Sequence, residues 1–265
     1  MDLGLKGQTV LITGGSRGIG FSTARLLVEE GCKVAIAARD QGRLDEAVEE
    51  LSAAGSGEVA AFCGDMTDSK EVERVVDEVI ARFSAIDVLV TCAGSSPGGL
   101  LEELTEEQWA SSLGLKFMGY VRSCRAVIPR MRENGGGSIV LVVGNDGLKP
   151  SYWEMTAGAA NAADINFASS LAEQYGPAGI RVNTVNPGPV DTGRWDLLEA
   201  AFSRDKKVDR ERAHELVLKS LPLNRICTPD EVANLVAFVA SPRASYINGA
   251  HIPIDGGQRK SLMDL

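Results

Sequence analysis

Glycines, two arginines and a lysine set among apolar residues carry the chemistry this chain can be expected to perform. In "TVLITGGSRGIGFSTARLL" the glycines at 14, 18 and 20 join an apolar β-rich run to a helical stretch. Glycine there lets backbone N–H groups approach a phosphate at a helix N-terminus, so Gly14, Ser16, Arg17, Gly18, Ile19 and Gly20 read as a pyrophosphate cradle. A lone glycine-rich loop says little, but one that follows a strand, opens a helix and starts the first βαβ unit is a dinucleotide signature. Where an acidic side chain would receive a ribose 2'-hydroxyl, at the end of the second run, the chain has Ala37, Ala38 and Arg39. Arg39 and Arg17 suit a 2'-phosphate instead, because guanidinium meets phosphate in a bidentate fork. The favoured cofactor is NADP(H). NAD(H) is the alternative, since a one-residue shift would bring the Asp40 carboxylate to the ribose. Asp65, after the third run, is expected at the adenine amino group or in a turn.

The lysine is Lys116, in "LGLKFMGYV". Apolar neighbours argue against an amine snorkelling to solvent, and burial favours its neutral form. Such a group can stabilise an oxyanion and surrender a proton.

These residues need a frame, and the sequence supplies one. Seven short apolar runs, at 9–13, 33–38, 58–63, 86–91, 138–143, 180–185 and 250–254, alternate with amphipathic helical stretches. The rhythm predicts an α/β fold of Rossmann type: one domain over residues 1–265 built on a doubly wound parallel sheet. Thr67 and Asp68 offer N-cap oxygens to the helix that follows them. The charged stretch 194–221 reads as two helices projecting from the sheet, a helical lid over the site or a solvated surface.

Composition narrows the function classes. The formal net charge is -9, the pI is about 4.9 and the basic residues are scattered. No positive stripe exists for nucleic acid or anionic lipid, so the expected partner is a small molecule. Five cysteines, odd in number and without a CxxC pair, fit reduced core thiols. No metal site is indicated, no stretch approaches 18 apolar residues, and a cytoplasmic protein is expected.

The motifs "TGGSRGIG" (13–20), "GDMTD" (64–68), "CAG" (92–94), "GSIVLVVG" (137–144), "IRVNTVNPGPVDT" (180–192) and "IDGG" (254–257) together resemble the short-chain dehydrogenase/reductase superfamily over nearly the whole chain. The resemblance implies a nicotinamide cofactor, alcohol or carbonyl redox chemistry (or the related C=N or C=C chemistry), and a homotetramer or dimer. It implies cofactor contacts at Met66, Ala93, Gly94, Asn161, Pro187 and Gly188, with Val190 and Thr192 holding the carboxamide.

Members of the family carry an Asn, a Ser, and a Tyr four residues before a Lys. Matching the segments puts Lys116 at the Asn position, Gly144 at the Ser position, and Ala157 and Asn161 at the Tyr and Lys positions. The cation and the amide have in effect changed places. For the proton that carbonyl reduction requires, Lys116 is the first choice, with Tyr152 and Asp146 as the other candidates and Asn161 as a hydrogen-bond partner. His214, in the charged stretch, and His251, in a terminal strand, are disfavoured. Gly144 and Ala157 also remove volume, so a roomier pocket walled by Tyr152, Trp153, Met155 and Trp195, and a bulky apolar substrate, are expected. A lyase, isomerase or cyclase, or a non-catalytic NADP(H)-binding sensor on the same scaffold, stands as the competing expectation.

Overall fold

Alternation along each strand decides how the sheet is covered. In β1 (Thr9–Thr13), Val10 and Ile12 face one side while Leu11 faces the other, and β5 (Gly137–Val142) divides Val140 and Val142 from Ile139 and Leu141 in the same way. Both faces are therefore apolar, and both must be covered by helices. In the computed structural model, which describes residues 1–258, the remaining strands are β2 (Lys33–Ala38), β3 (Glu58–Cys63), β4 (Val88–Thr91), β6 (Ile180–Pro187) and β7 (His251–Ile254). All pair in parallel, in the order β3-β2-β1-β4-β5-β6-β7. One face is buried by α1 (Gly18–Glu29), α2 (Gln41–Ser52) and α9 (Pro229–Ala240). The other is buried by α3 (Ser69–Phe83), α5 (Met118–Glu133) and α6 (Met155–Tyr175).

The strand order reverses between β1 and β4. Loops leaving the carboxyl ends of those strands diverge to opposite faces and open a crevice, the place where such sheets bind ligands. Two local features shape it. The helix following β4 is not uniform: α4 (Glu106–Ser112) passes into α5 through a π turn, Leu113–Phe117, and Arg122 donates to the Gly114 carbonyl at 3.0 Å. A π turn inside a helix frequently marks a functional position, and this one carries Lys116. The second feature is the stretch after β6, which forms α7 (Gly193–Lys206) and α8 (Arg210–Ser220) as the charge pattern predicts. They enclose a small apolar cluster of their own, with Trp195, Phe202, Ala213 and Val217 packed around Trp153.

Asp68, rather than Thr67, caps α3, accepting from Lys70 N at 2.8 Å. All five cysteines are unpaired thiols, two of them buried. Among the described residues no helix is long and apolar enough to cross a membrane, and no His, Cys, Asp and Glu cluster could hold a metal ion.

Candidate functional site

The glycine loop is as tight as its sequence requires. Gly14 has φ +74°, and a Cβ on it would lie 2.7 Å from the backbone N of Ala93; a Cβ on Gly20 would strike the Gly14 carbonyl. The loop is thus wedged against the end of β4, which brings Ala93 and Gly94 beside it. Gly18 meets Thr192 across the mouth, with its Cβ position 3.4 Å from Thr192 Cγ2. Arg17 occupies the N-cap of α1 without a side-chain cap, so the first amides of that helix stay open to an anion.

At the far end, Asp40 is spent on its own helix: it caps α2 through Arg43 N at 3.1 Å and pairs with Arg43 Nε at 3.4 Å. Arg17 and Arg39 are exposed, and among the described residues neither guanidinium has a hydrogen-bond or ion-pair partner. Asp65 Oδ1 accepts from the backbone N and the hydroxyl of Thr67, both at 2.8 Å, which is the turn chemistry weighed above. Met66 is buried in the core beneath Gly119 rather than in the crevice, since its carbonyl lies 3.3 Å from where a Gly119 Cβ would sit.

From the glycine loop the crevice opens into a solvent-open cleft of about 190 Å³. Ile19, Gly94, Lys116, Gly144, Asp146, Ala157, Asn161, Pro187, Gly188, Val190 and Thr192 line it. Its central feature is a buried polar clamp. Asn161, 1% exposed, donates from Nδ2 to Asp146 Oδ1, and its own Oδ1 has no partner among the described residues. Gly144 makes room for this pair, because a Cβ there would collide with Asp146 Oδ1 and lie 2.7 Å from Asn161 Nδ2. Gly147 lets the turn press against α6, its Cβ position being 2.7 Å from the Asn161 carbonyl carbon. The space expected to be vacated at Gly144 is therefore filled by the clamp.

In the same cleft, the stem of Lys116 lies across Gly94, with Cγ 3.2 Å from where a Gly94 Cβ would be. Burial lowers the pKa of its amine, and the neighbouring Arg194 lowers it further; Asp146, Asp164 and Glu154 act in the opposite sense. The amine has no hydrogen-bond partner among the described residues.

Tyr152 does not fill the role expected of it. It is 48% exposed, lies outside the cleft lining, and its hydroxyl accepts from Lys206 Nζ at 2.9 Å. Trp153 and Met155 are not walls either. Trp153 is drawn into the α7/α8 cluster, where its Nε1 donates to Asp205 at 2.7 Å. Of the four expected walls only Trp195 lines the cleft, and Lys116, Asp146, Glu154 and Arg194 give that cleft a more charged lining than the sequence suggested. The histidines are structural: His251 bridges Ser169 and Thr184, and His214 pairs with Glu199.

A model of the family described as enoyl-(acyl carrier protein) reductase matches residues 14–259. The chain is 33% identical over 253 residues to 3-oxoacyl-[acyl-carrier-protein] reductase FabG of Chlamydia trachomatis, covering 96% of this chain and 98% of that one. It belongs to the short-chain dehydrogenase/reductase superfamily. Human dehydrogenase/reductase SDR family member 4 is 31% identical, covering 97% and 90%. Among solved structures, L-sorbose reductase from Gluconobacter frateurii complexed with NADPH and L-sorbose superposes with a TM-score of 0.91 at 31% identity, covering 98% of this chain and all of that one. A variant of actinorhodin polyketide ketoreductase with NADPH gives 0.91 at 29%, covering 95% and 97%.

Within this short-chain dehydrogenase/reductase, the sequence reading missed the charged residues Glu154 and Arg194 of the cleft lining, and the buried Asp164 of α6. Arg194 follows Thr192 and donates to the Ser96 carbonyl at 3.2 Å, tying α7 to the loop after β4. Asp164 is fully buried on α6. Its signal was legible: in "AANAADINFASS" an Asp falls three residues after Asn161, on the buried face of an otherwise small and apolar segment.

Proposed function

We propose that this chain is an NADP(H)-dependent oxidoreductase that interconverts a carbonyl and an alcohol on a small molecule, with Lys116 serving as acid and base. The observation that carries this reading is the meeting of Lys116 with the Asn161–Asp146 clamp in one cleft, continuous with a glycine cradle and two unpaired arginines. The site fits the cofactor on its own features. A Cβ would fill the cradle at Gly14 and Gly20, and the buried Asn161 Oδ1 lacks the donor that a ribose hydroxyl would provide. Arg17 and Arg39 would hold a 2'-phosphate, Gly14 to Gly20 the pyrophosphate, Ala93 and Gly94 the nicotinamide ribose, and Val190 and Thr192 the carboxamide. When bound, NADPH supplies a hydride to the substrate carbon.

The remaining work belongs to side chains. The Asn-Ser-Tyr-Lys set of the family is replaced in this reading by Lys116, Gly144, Ala157 and Asn161. Lys116 orients the substrate oxygen and passes one proton to it as negative charge develops, becoming a neutral amine; the lowered pKa makes that transfer easier near neutral pH. The Asp146–Asn161 clamp fixes the opposite wall. The names of the relatives, 3-oxoacyl-carrier, sorbose and polyketide reductases, support a carbonyl as the reacting group. Helices α7 and α8 act as the lid, and the chain assembles as a homo-oligomer.

The test is a fluorescence titration with NADPH and NADH, followed by NADPH oxidation across a panel of ketones, aldehydes, imines and enones. Tight NADPH binding with turnover of a carbonyl is expected. Tight binding without turnover on any member would favour a non-redox enzyme or a sensor. Arg39→Ala is expected to weaken NADPH roughly tenfold and leave NADH unchanged, because one charge-assisted contact is worth about 1.5–3 kcal/mol and this one is solvent-exposed. Equal weakening of both would place Arg39 away from the 2'-phosphate.

A further inference from the structure

Asp164 is the buried ionisable group that the reaction above leaves unused. It lies on α6 seven residues after Ala157 and three after Asn161, spacings that share one helix face. Ala157 and Asn161 line the cleft, so that face runs inward from the cleft to Asp164. Asp164 is 0% exposed and, among the described residues, neither carboxyl oxygen has a hydrogen-bond partner. Packed against α6 is the π turn that carries Lys116, followed at the i+4 and i+8 positions by Tyr120 and Cys124 of α5. Among the described residues neither the Asp164 carboxyl nor the Lys116 amine, one on each of two adjoining helical segments, has a hydrogen bond.

A buried carboxyl is ordinarily paired, because taking it from water without compensation is expensive. Among the described residues no donor reaches it, and Lys116 is the one cation whose field acts on it. The reverse field is equally specific. Lys116 faces Asp164 and Glu154 from α6 and its N-cap, Asp146 from the turn after β5, and Arg194 from α7. Asp164 in turn acts on Tyr120 and Cys124, both neutral thiol or phenol groups pushed upward by burial.

We infer that Asp164 is the positioning residue of Lys116, the buried carboxyl whose ionisation as pH rises holds the proton on the amine in a layer that would otherwise strip it. This rests on Lys116 being the acid of the proposed reaction. Burial pushes the Asp164 carboxyl up to about 8 and lowers Lys116, so the two approach each other and titrate as a pair. Tyr120 is not the partner: its hydroxyl donates to the Val142 carbonyl at 2.9 Å.

The experiment reads Lys116 without any substrate. Trace acetylation of the intact protein with acetic anhydride across pH, quantified by mass spectrometry of the peptide containing residue 116, reports when the amine becomes neutral. Asp164→Asn is expected to move that midpoint down by roughly one unit or more, and Asp164→Glu to restore most of the shift. The basic limb of the pH profile for carbonyl reduction should move with it, while KM changes little.

A second readout separates this role from a structural one. Because the carboxyl binds its proton more tightly when folded, the native state keeps a proton that the unfolded chain releases, and stability falls as pH rises from about 4 to about 8. Asp164→Asn should remove that fall and melt no lower than the parent at alkaline pH. An unmoved Lys116 midpoint, or an Asn variant that melts well below the parent, would overturn the inference. A shifted midpoint in a protein that reduces no carbonyl would uphold the pairing and reject the functional reading instead.

Discussion

Lys116→Met is expected to reduce turnover of a carbonyl substrate by roughly two to four powers of ten, the contribution of a positioned proton donor, with NADPH affinity within a few-fold of the parent. Methionine keeps the unbranched stem that lies across Gly94 and removes only the amine, so the loss reports chemistry rather than packing. The pH dependence sharpens the expectation. Reduction needs the ammonium form, and burial lowers the pKa of the amine, so the parent's reduction rate should begin to fall below the ordinary lysine range and continue falling as pH rises. Alcohol oxidation, which needs the neutral amine, should rise over the same interval. In the methionine variant that titration should vanish from both directions. Below about pH 8, where the Asp164 carboxyl keeps its proton, stability should not suffer, since an amine without a hydrogen bond is exchanged for an apolar group; above it, the ionised carboxyl left without its partner should lower Tm. Turnover near that of the parent would remove Lys116 from the mechanism and return attention to Asp146. Single-turnover absorbance measurements of NADPH oxidation, alongside a cofactor titration, separate the chemical step from binding.

What the sequence made legible and what it hid divide along a physical line. Strands were readable because both faces of a parallel sheet are buried, which leaves runs such as "TVLIT" and "SIVLVV" no other economical home. The cradle was readable because only glycine tolerates φ +74° against the backbone of Ala93. The N-cap role of Asp40 was not foreseen, although an Asp followed by "QGRLDEAVEEL" is an N-cap pattern, and that role engages its carboxylate within its own helix. Tyr152 and Trp153 failed for a different reason. Their positions depend on a contact 52 residues away, Trp153 with Asp205, and on the cluster inside α7 and α8, neither of which periodicity near residue 152 reports. The π turn was equally hidden, since "LGLKF" follows no helical rule that would separate it from α4 or α5. It nevertheless decides where Lys116 lies relative to α6.

Gly144→Ser, the change that on the matching proposed above would place a hydroxyl at the family's Ser position, is expected to lower both stability and activity rather than raise activity. The new Cβ would occupy the place where Asp146 Oδ1 meets Asn161 Nδ2, 2.7 Å from the latter, and neither partner can easily withdraw. Asp146 is held by the turn that Gly147 presses against α6, where even a Cβ would come within 2.8 Å of Asn161 Cβ, and Asn161 is embedded in that helix. Overpacking a filled site costs about 1–3 kcal/mol, and parting a buried hydrogen bond adds about 1–3 more for the groups left unpaired. For a chain of this length each kcal/mol lost lowers Tm by roughly 2–4 °C, so a drop of several degrees should be plain in a thermal melt. Combining Gly144→Ser with Asp146→Gly removes the colliding carboxylate. The double variant should recover much of the lost Tm, a non-additive result expected of groups in direct contact. It should not recover turnover, because a serine placed beside Ala157 finds no phenol to work with and Asn161 has lost the acceptor that oriented it. A single Gly144→Ser variant as stable as its parent would mean that Asp146 swings freely, and the clamp would then be no fixed wall for the cofactor's ribose or for the substrate.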